Sequence, residues 1–182
     1  EWHKKFSRNH TTSFVINHQL ENSTPEKNWK TNQPFLTNFI PIQSDTEYLI
    51  HQTKEIKNNS IDVLMKHYWI LNNANHLYTN IGISNWQTHL VTSEEQALTN
   101  GNINHFNTNG FGNNLEYNLT NAFIGLEYKF KFKKLLVKPI LYLHNYNLKT
   151  IQNSKNTITK LLLQPQFHAD YEFNDYEKAS FK

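Results

Sequence analysis

The sequence contains no cysteine, a single arginine (Arg8) and a single methionine (Met65) among its 182 residues. Without cysteine there is no disulfide framework, no thiolate metal site and no cysteine nucleophile. With one arginine, the side chain best suited to bidentate phosphate recognition is almost missing. The net charge of +3 is small, and lysines alternate with carboxylates rather than forming the basic stripe of a nucleic-acid footprint. Nucleic acid is therefore excluded as an expected partner. No apolar run approaches the ~20 residues of a membrane-spanning helix. The first residues, Glu1-Trp2-His3-Lys4-Lys5, show neither an initiator Met nor a signal-peptide core, so the chain reads as an excerpt from a longer one.

What is present is unusual. Hydrophobic residues are only 37% of the chain, yet aromatics reach 14%, with 12 Phe, 9 Tyr and 4 Trp. Disordered chains are equally polar but poor in aromatic and β-branched residues. A polar chain full of rings suits a sheet with two different faces.

Period-2 alternation is strongest in the C-terminal half. Ala122, Ile124, Leu126, Tyr128, Phe130 and Phe132 alternate with Phe123, Gly125, Glu127, Lys129 and Lys131. Leu161, Leu163, Pro165, Phe167, Ala169, Tyr171 and Phe173 alternate with Gln164, Gln166, His168, Asp170 and Glu172. Successive strand side chains point to opposite faces, so each stretch has an apolar and a polar face. Leu135–Lys149 reads as a strand between them, its alternation blurred by Ile140, Tyr142 and Tyr146. Further strands are expected over Phe6–Leu20, Tyr48–Leu71, His76–Val91 and, in part, Lys178–Lys182. That makes about seven strands, several longer than the ~5–6 residues usual in globular proteins.

Short connections are expected at Asn72–Asn75, Lys133–Lys134 and Asn174–Glu177, and longer ones at Glu21–Thr46, Leu98–Asn118 and Ile151–Thr157. An outer-membrane barrel has this asymmetry between periplasmic turns and extracellular loops. Aromatics flank the short connections: Tyr68, Trp69, Tyr78, Tyr128, Phe130, Phe132, Tyr171 and Phe173. Such barrels carry aromatic girdles at both interfaces. The expected fold is thus all-β, an antiparallel up-and-down segment of a transmembrane β-barrel, in a bacterial outer membrane.

The segment Asn121-Ala122-Phe123-Ile124-Gly125-Leu126-Glu127-Tyr128-Lys129-Phe130 resembles a late barrel strand of TonB-dependent receptors of the Bacteroidetes type. Leu136-Val137-Lys138-Pro139-Ile140 and Leu161-Leu162-Leu163-Gln164-Pro165-Gln166-Phe167 resemble the next strands of such a barrel. Tyr171-Glu172-Phe173-Asn174 resembles a periplasmic turn of the same barrel, and the likeness extends more loosely back to Trp2. These are patterns of strand texture, not a catalytic fingerprint. The resemblance implies that residues 1–182 are part of a barrel of about 22 strands, with the plug and remaining strands elsewhere. It also implies uptake of a large nutrient, with outer-membrane lipid, plug and TonB as partners. Pro139 and Pro165 depart from ordinary strand chemistry, since a proline breaks a ladder bond unless an edge or bulge relieves it.

No catalytic residue, metal or cofactor is expected, and the chain is not expected to be an enzyme. The ten histidines are scattered, with neither the i, i+4 spacing of a zincin nor a His-x-His pair. Asp170 and Glu172, about 7 Å apart on one strand face, have the residue types of a glycosidase pair but read better as part of a polar wall. Glu127, Lys129, Lys131, Gln164, Gln166, His168, Asp170 and Glu172 are expected to line a barrel lumen. His105, Phe106 and Phe111, in the Gly- and Asn-rich stretch, are the candidate ligand contacts. The rival is a secreted, soluble β-sandwich or barrel binding glycans through exposed aromatics.

Overall fold

The computed structural model describes residues 1–107, 110–174 and 176–182. The described chain is strand and turn without helix. Its strands are β1 (Trp2–Lys5), β2 (His10–Ser23), β3 (Glu26–Thr31), β4 (Tyr48–Ile70), β5 (Asn75–Ala97), β6 (Ile103–His105), β7 (Asn113–Phe132), β8 (Leu135–Ile151), β9 (Lys155–Glu172) and β10 (Lys178–Phe181). They form one antiparallel sheet in the order β1-β2-β4-β5-β7-β8-β9-β10, with β3 on β4 and β6 on β5. Neighbours in the sheet are neighbours in the chain, as in an up-and-down meander. The sheet is open: among the described residues no ladder joins β1 or β2 to β9 or β10.

The count of about seven strands is corrected to ten. The stretch expected as one strand over Phe6–Leu20 begins with a turn at residues 6–9 that joins β1 to β2. The long connection after β2 contains β3, and the one after β5 contains β6. The third connection expected to be long is a tight hairpin at residues 152–154.

One end of the sheet therefore carries short connections, from β1 to β2, β4 to β5, β7 to β8 and β9 to β10, and the other carries the two long loops and the β8–β9 hairpin. Local chemistry fixes these turns. Asn72 Oδ1 accepts from the amides of Ala74 and Asn75, both at 2.9 Å, and Asn174 Oδ1 accepts from the Tyr176 amide at 2.9 Å. Each is an Asx turn that folds the chain back on itself. Lys133 takes φ 54°, the left-handed conformation that a two-residue hairpin requires.

Strands β4 and β5 run for 23 residues each, about twice the ~9–11 needed to cross a bilayer. Both prolines are relieved by where they sit. The β8–β9 ladder runs unbroken through Pro139↔Phe167 and Leu141↔Pro165, whereas the β7–β8 ladder skips Tyr128 and Lys129, opposite Pro139. Residues 139 and 141 have the same bonding parity. If the bond missing at Pro139 is the one toward β7, that of Pro165 points away from β8. There β9 has passed the end of β10 and is an open edge.

Candidate functional site

Residues opposite one another on adjacent strands share a face, so the register sorts every strand side chain. On face A, one row reads Trp2, Phe14, Met65, Ile81, Ile124, Leu143 and Leu163 across β1, β2, β4, β5, β7, β8 and β9. The next row toward the loops reads Ile16, Val63, Ile83, Ala122, Asn145 and Leu161. Members of the first row are between 37% and 58% exposed, a degree that soluble monomers rarely tolerate over a contiguous apolar patch. Two rows further on, the same strands present Leu20, Asn59, Gln87, Asn118, Lys149 and Thr157, and then Asn22, Lys57, His89, Glu116, Ile151 and Lys155. Face A is thus predominantly apolar in the turn half, interrupted by Thr12, His67 and Thr79 on β2, β4 and β5 and by Asn145 on β8, and predominantly polar in the loop half, where Leu20 and Ile151 are the apolar members of the two rows.

Face B is polar and aromatic over most of its turn half, and in the loop half it carries apolar rows, Trp86, Leu119, Leu148 and Ile158 in one and Ile56, Leu90 and Leu115 in another. In the turn half it curves into a groove of about 750 Å³ lined from His3 to Gln166. Two rows form its floor. One is Thr11, Tyr68, Tyr78, Glu127, Ile140 and Gln166, and the other is Ser13, Lys66, Asn80, Gly125, Tyr142 and Gln164. Tyr68 stacks on Tyr78 with ring centres 4.5 Å apart and its hydroxyl lies 2.5 Å from His76 Nδ1. Along β8, Tyr142, His144 and Tyr146 stack in series at 5.8 and 5.5 Å. Asn121 Oδ1 holds His144 Nδ1 at 3.1 Å, and Asn80 donates to the Tyr142 hydroxyl at 3.0 Å.

Two glycines make this aromatic floor flat. The Phe123 ring lies where a side chain on Gly82 would be, and the Tyr142 ring where one on Gly125 would be. Each glycine sits directly opposite the aromatic it accommodates. Rings that would project into the groove lie down on the backbone instead. The blurred alternation of Leu135–Lys149 has the same origin: its apolar face is face A, and its second face carries this aromatic row.

All eight residues expected along a lumen fall on face B. Glu127, Gln164 and Gln166 line the groove. Lys129, Lys131, His168, Asp170 and Glu172 continue the face toward the turns, where Asp170 accepts from the Ser180 hydroxyl at 2.7 Å and pairs with Lys178 at 3.5 Å. The aromatics around the turns do not form one group. Trp69, Tyr128, Phe130, Phe132 and Tyr171 have face A parity, whereas Tyr68 and Tyr78 are on face B and belong to the groove.

His105, Phe106 and Phe111 are not brought together as one site. His105 Nδ1 lies 3.2 Å from a Glu95 carboxylate oxygen on the face A side of β6. Phe106 is fully buried and meets Phe111 edge-on at 6.3 Å, so it has no free surface to offer a ligand. Phe106 instead anchors a small core at the loop end of face B, lining one pocket with Ile50 and Ile40, and Tyr48 is buried at the same end of β4. Gln96, also fully buried, staples this cap: it accepts from the Gln43 amide and donates to the Gln43 carbonyl, both at 2.8 Å. Asn104 adds a bond to the Pro41 carbonyl at 2.8 Å. The long loops therefore fold inward over face B rather than standing free.

Among the described residues no group of three or more His, Asp or Glu side chains is arranged to hold a metal ion. No helix is long and apolar enough to cross a membrane. No family model and no curated protein matches the chain.

Proposed function

We propose that the chain is a section of the wall of an outer-membrane β-barrel, of the kind found in TonB-dependent receptors, serving uptake of a large nutrient. Face A is the lipid-facing wall and face B lines the lumen. The observation that carries this reading is the exposed apolar row from Trp2 to Leu163, which gives way on the same face to the predominantly polar rows from Leu20 to Thr157 and from Asn22 to Lys155. A soluble sheet buries its apolar face along the whole strand, whereas a sheet standing in a bilayer changes composition where the hydrocarbon ends. The loops folded over face B, the polar and aromatic groove in its turn half and the end of short turns support the same orientation. On this reading the rest of the barrel and a plug cover face B, TonB enters through family resemblance alone, and no reaction is assigned to any side chain.

The soluble glycan-binding sandwich requires a second layer over face A, and no second layer covers that face among the described residues. The absence of cysteine permits a clean test. Single variants Ile81→Cys, Ile124→Cys and Leu143→Cys, and Asn80→Cys and Gln164→Cys, are labelled with an environment-sensitive fluorophore in lipid vesicles. A quencher carried on the acyl chains should act on the first three, and aqueous iodide on the last two. Equal quenching of both sets, or failure of the chain to enter vesicles as β-structure, overturns the proposal.

A further inference from the structure

His10 on β2 and His67 on β4 are 57 residues apart in sequence, yet His10 Nδ1 and His67 Nε2 face each other at 3.5 Å. Both belong to face A near the turns. The register sets Thr12 opposite His67 and Trp69 opposite His10, so the two imidazoles are diagonal neighbours. Each ring is held from behind. His10 stacks on Trp69 with centres 5.0 Å apart and planes 30° apart, and His67 Nδ1 lies 2.8 Å from Thr12 Oγ1. Lys4, opposite Thr12 on β1, has its ammonium 5.2 Å from the Phe6 ring centre.

We propose that His10 and His67 form a two-imidazole site for a divalent transition metal, best matched by zinc, with water in the remaining positions. Two nitrogens bound to zinc at about 2.0–2.1 Å with tetrahedral angles stand about 3.3–3.4 Å apart, so the pair needs only a small closure. A cis pair on square-planar copper has to close to about 2.9 Å, a larger movement of both strands. Binding requires a lone pair on His67 Nε2. The proton then sits on Nδ1 and is donated to Thr12 Oγ1, the outer-shell arrangement that fixes the tautomer of a ligating histidine. Metal here ties β2 to β4, whose connection runs over residues 24–47. The site stands on cross-strand geometry and does not rest on the membrane reading, on which it would lie at the turn-side border of the apolar face, beside Trp69.

The test is titration of the folded chain with zinc chloride by calorimetry, in buffer or in whichever detergent keeps it monodisperse, and with cobalt(II) as the visible-absorption probe. One equivalent of zinc should bind, cobalt should show the intense bands of tetrahedral coordination, and the midpoint of thermal unfolding should rise with zinc concentration. His10→Gln and His67→Gln should each weaken binding at least tenfold. Thr12→Ala should weaken it by about tenfold, the lower end of outer-shell effects. His18→Gln, on a histidine bonded to Asn59 at 2.9 Å, should change nothing. Circular dichroism of each variant without metal separates lost binding from lost fold. Absence of zinc binding by the parent chain overturns the proposal, as does binding that survives in a folded His10→Gln/His67→Gln double variant.

Discussion

The turn half and the loop half of the sheet are made from the same strands with the same alternation, and they differ in what face A shows. In the turn half β7 presents Ala122, Ile124 and Leu126, and in the loop half Glu116, Asn118 and Thr120, on one uninterrupted ladder to β5. Face B changes in the other direction, from Glu127, Gln164 and Asn80 in the turn half to the rows of Trp86, Leu119, Leu148 and Ile158 and of Ile56, Leu90 and Leu115 in the loop half. Secondary structure is therefore indifferent to the change on face A. The largest expected effect comes from placing a charge on that face. In vesicles, Ile124→Lys should lower stability by about 2–4 kcal/mol, the range for a lysine at the midplane of a barrel's lipid face. Asn118→Lys, three rows away on the same strand and face, should be within ~0.5 kcal/mol of the parent, as for other surface positions. Denaturant titration of both variants decides the matter, and equal costs would remove face A from lipid.

The loop half has a different source of order, the cap built on Gln96, Phe106, Tyr48 and Ile50. Gln96→Ala leaves the amide and carbonyl of Gln43 without their partner in a buried setting, an expected loss of about 1–3 kcal/mol. Hydrogen exchange should accelerate at residues 41–45 and stay unchanged in the β7–β8 turn half. Uniform acceleration over both halves would mean that they unfold as one unit. A smaller change is expected in the groove. Gly125→Ala puts a methyl group where the Tyr142 ring lies, at a cost toward the lower end of about 1–3 kcal/mol for overpacking. The ring should lift into the groove and lose its bond from Asn80, visible as an altered tyrosine signal in near-ultraviolet circular dichroism. An unchanged signal would show that the ring does not depend on the glycine.

How much of this architecture is legible in the sequence varies with the kind of signal. The long strands β7 and β9 are readable because alternation every second residue reports directly on two unlike faces. Glu26–Thr31 and Ile103–His105 are not, because short polar strands carry no such pattern and form only where a longer neighbour supplies the ladder. The polar set from Glu127 to Glu172 emerges on one face, since parity within a strand is fixed by the backbone. Parity between strands depends on register, which no local pattern states. For this reason the aromatics flanking the turns divide, with Tyr68 and Tyr78 turning to the groove. Phe106 reads as a loop-tip contact because its neighbours are Asn and Gly, and nothing local announces that two loops fold inward over it. The His10–His67 pair is invisible in the sequence for the same reason, a diagonal contact made by two strands far apart in the chain.

The smallest expected effect tests whether the cap is tied down by charge as well as by Gln96. Asp45 accepts from the Thr99 hydroxyl at 2.5 Å and from the Thr99 amide at 2.7 Å, which joins the loop before β4 to the turn after β5. These bonds, the hydroxyl's first, hold the Asp45 carboxyl below the usual carboxylate range. A carboxyl depressed in the folded state favours folding above its unfolded value, about 3.9, and loses that contribution as the pH falls through its lower folded value. The tether should therefore be complete at neutral pH, persist through the range in which an ordinary aspartate titrates, and release only in stronger acid. Protection of the Thr99 amide, corrected for its intrinsic exchange rate, should track that course, while Asp45→Asn should make it flat with pH. Release at or above the ordinary aspartate range would show that the carboxylate is not held by Thr99 in solution. The loop half would then rest on its buried glutamine and rings alone, whereas the turn half depends on what covers face A.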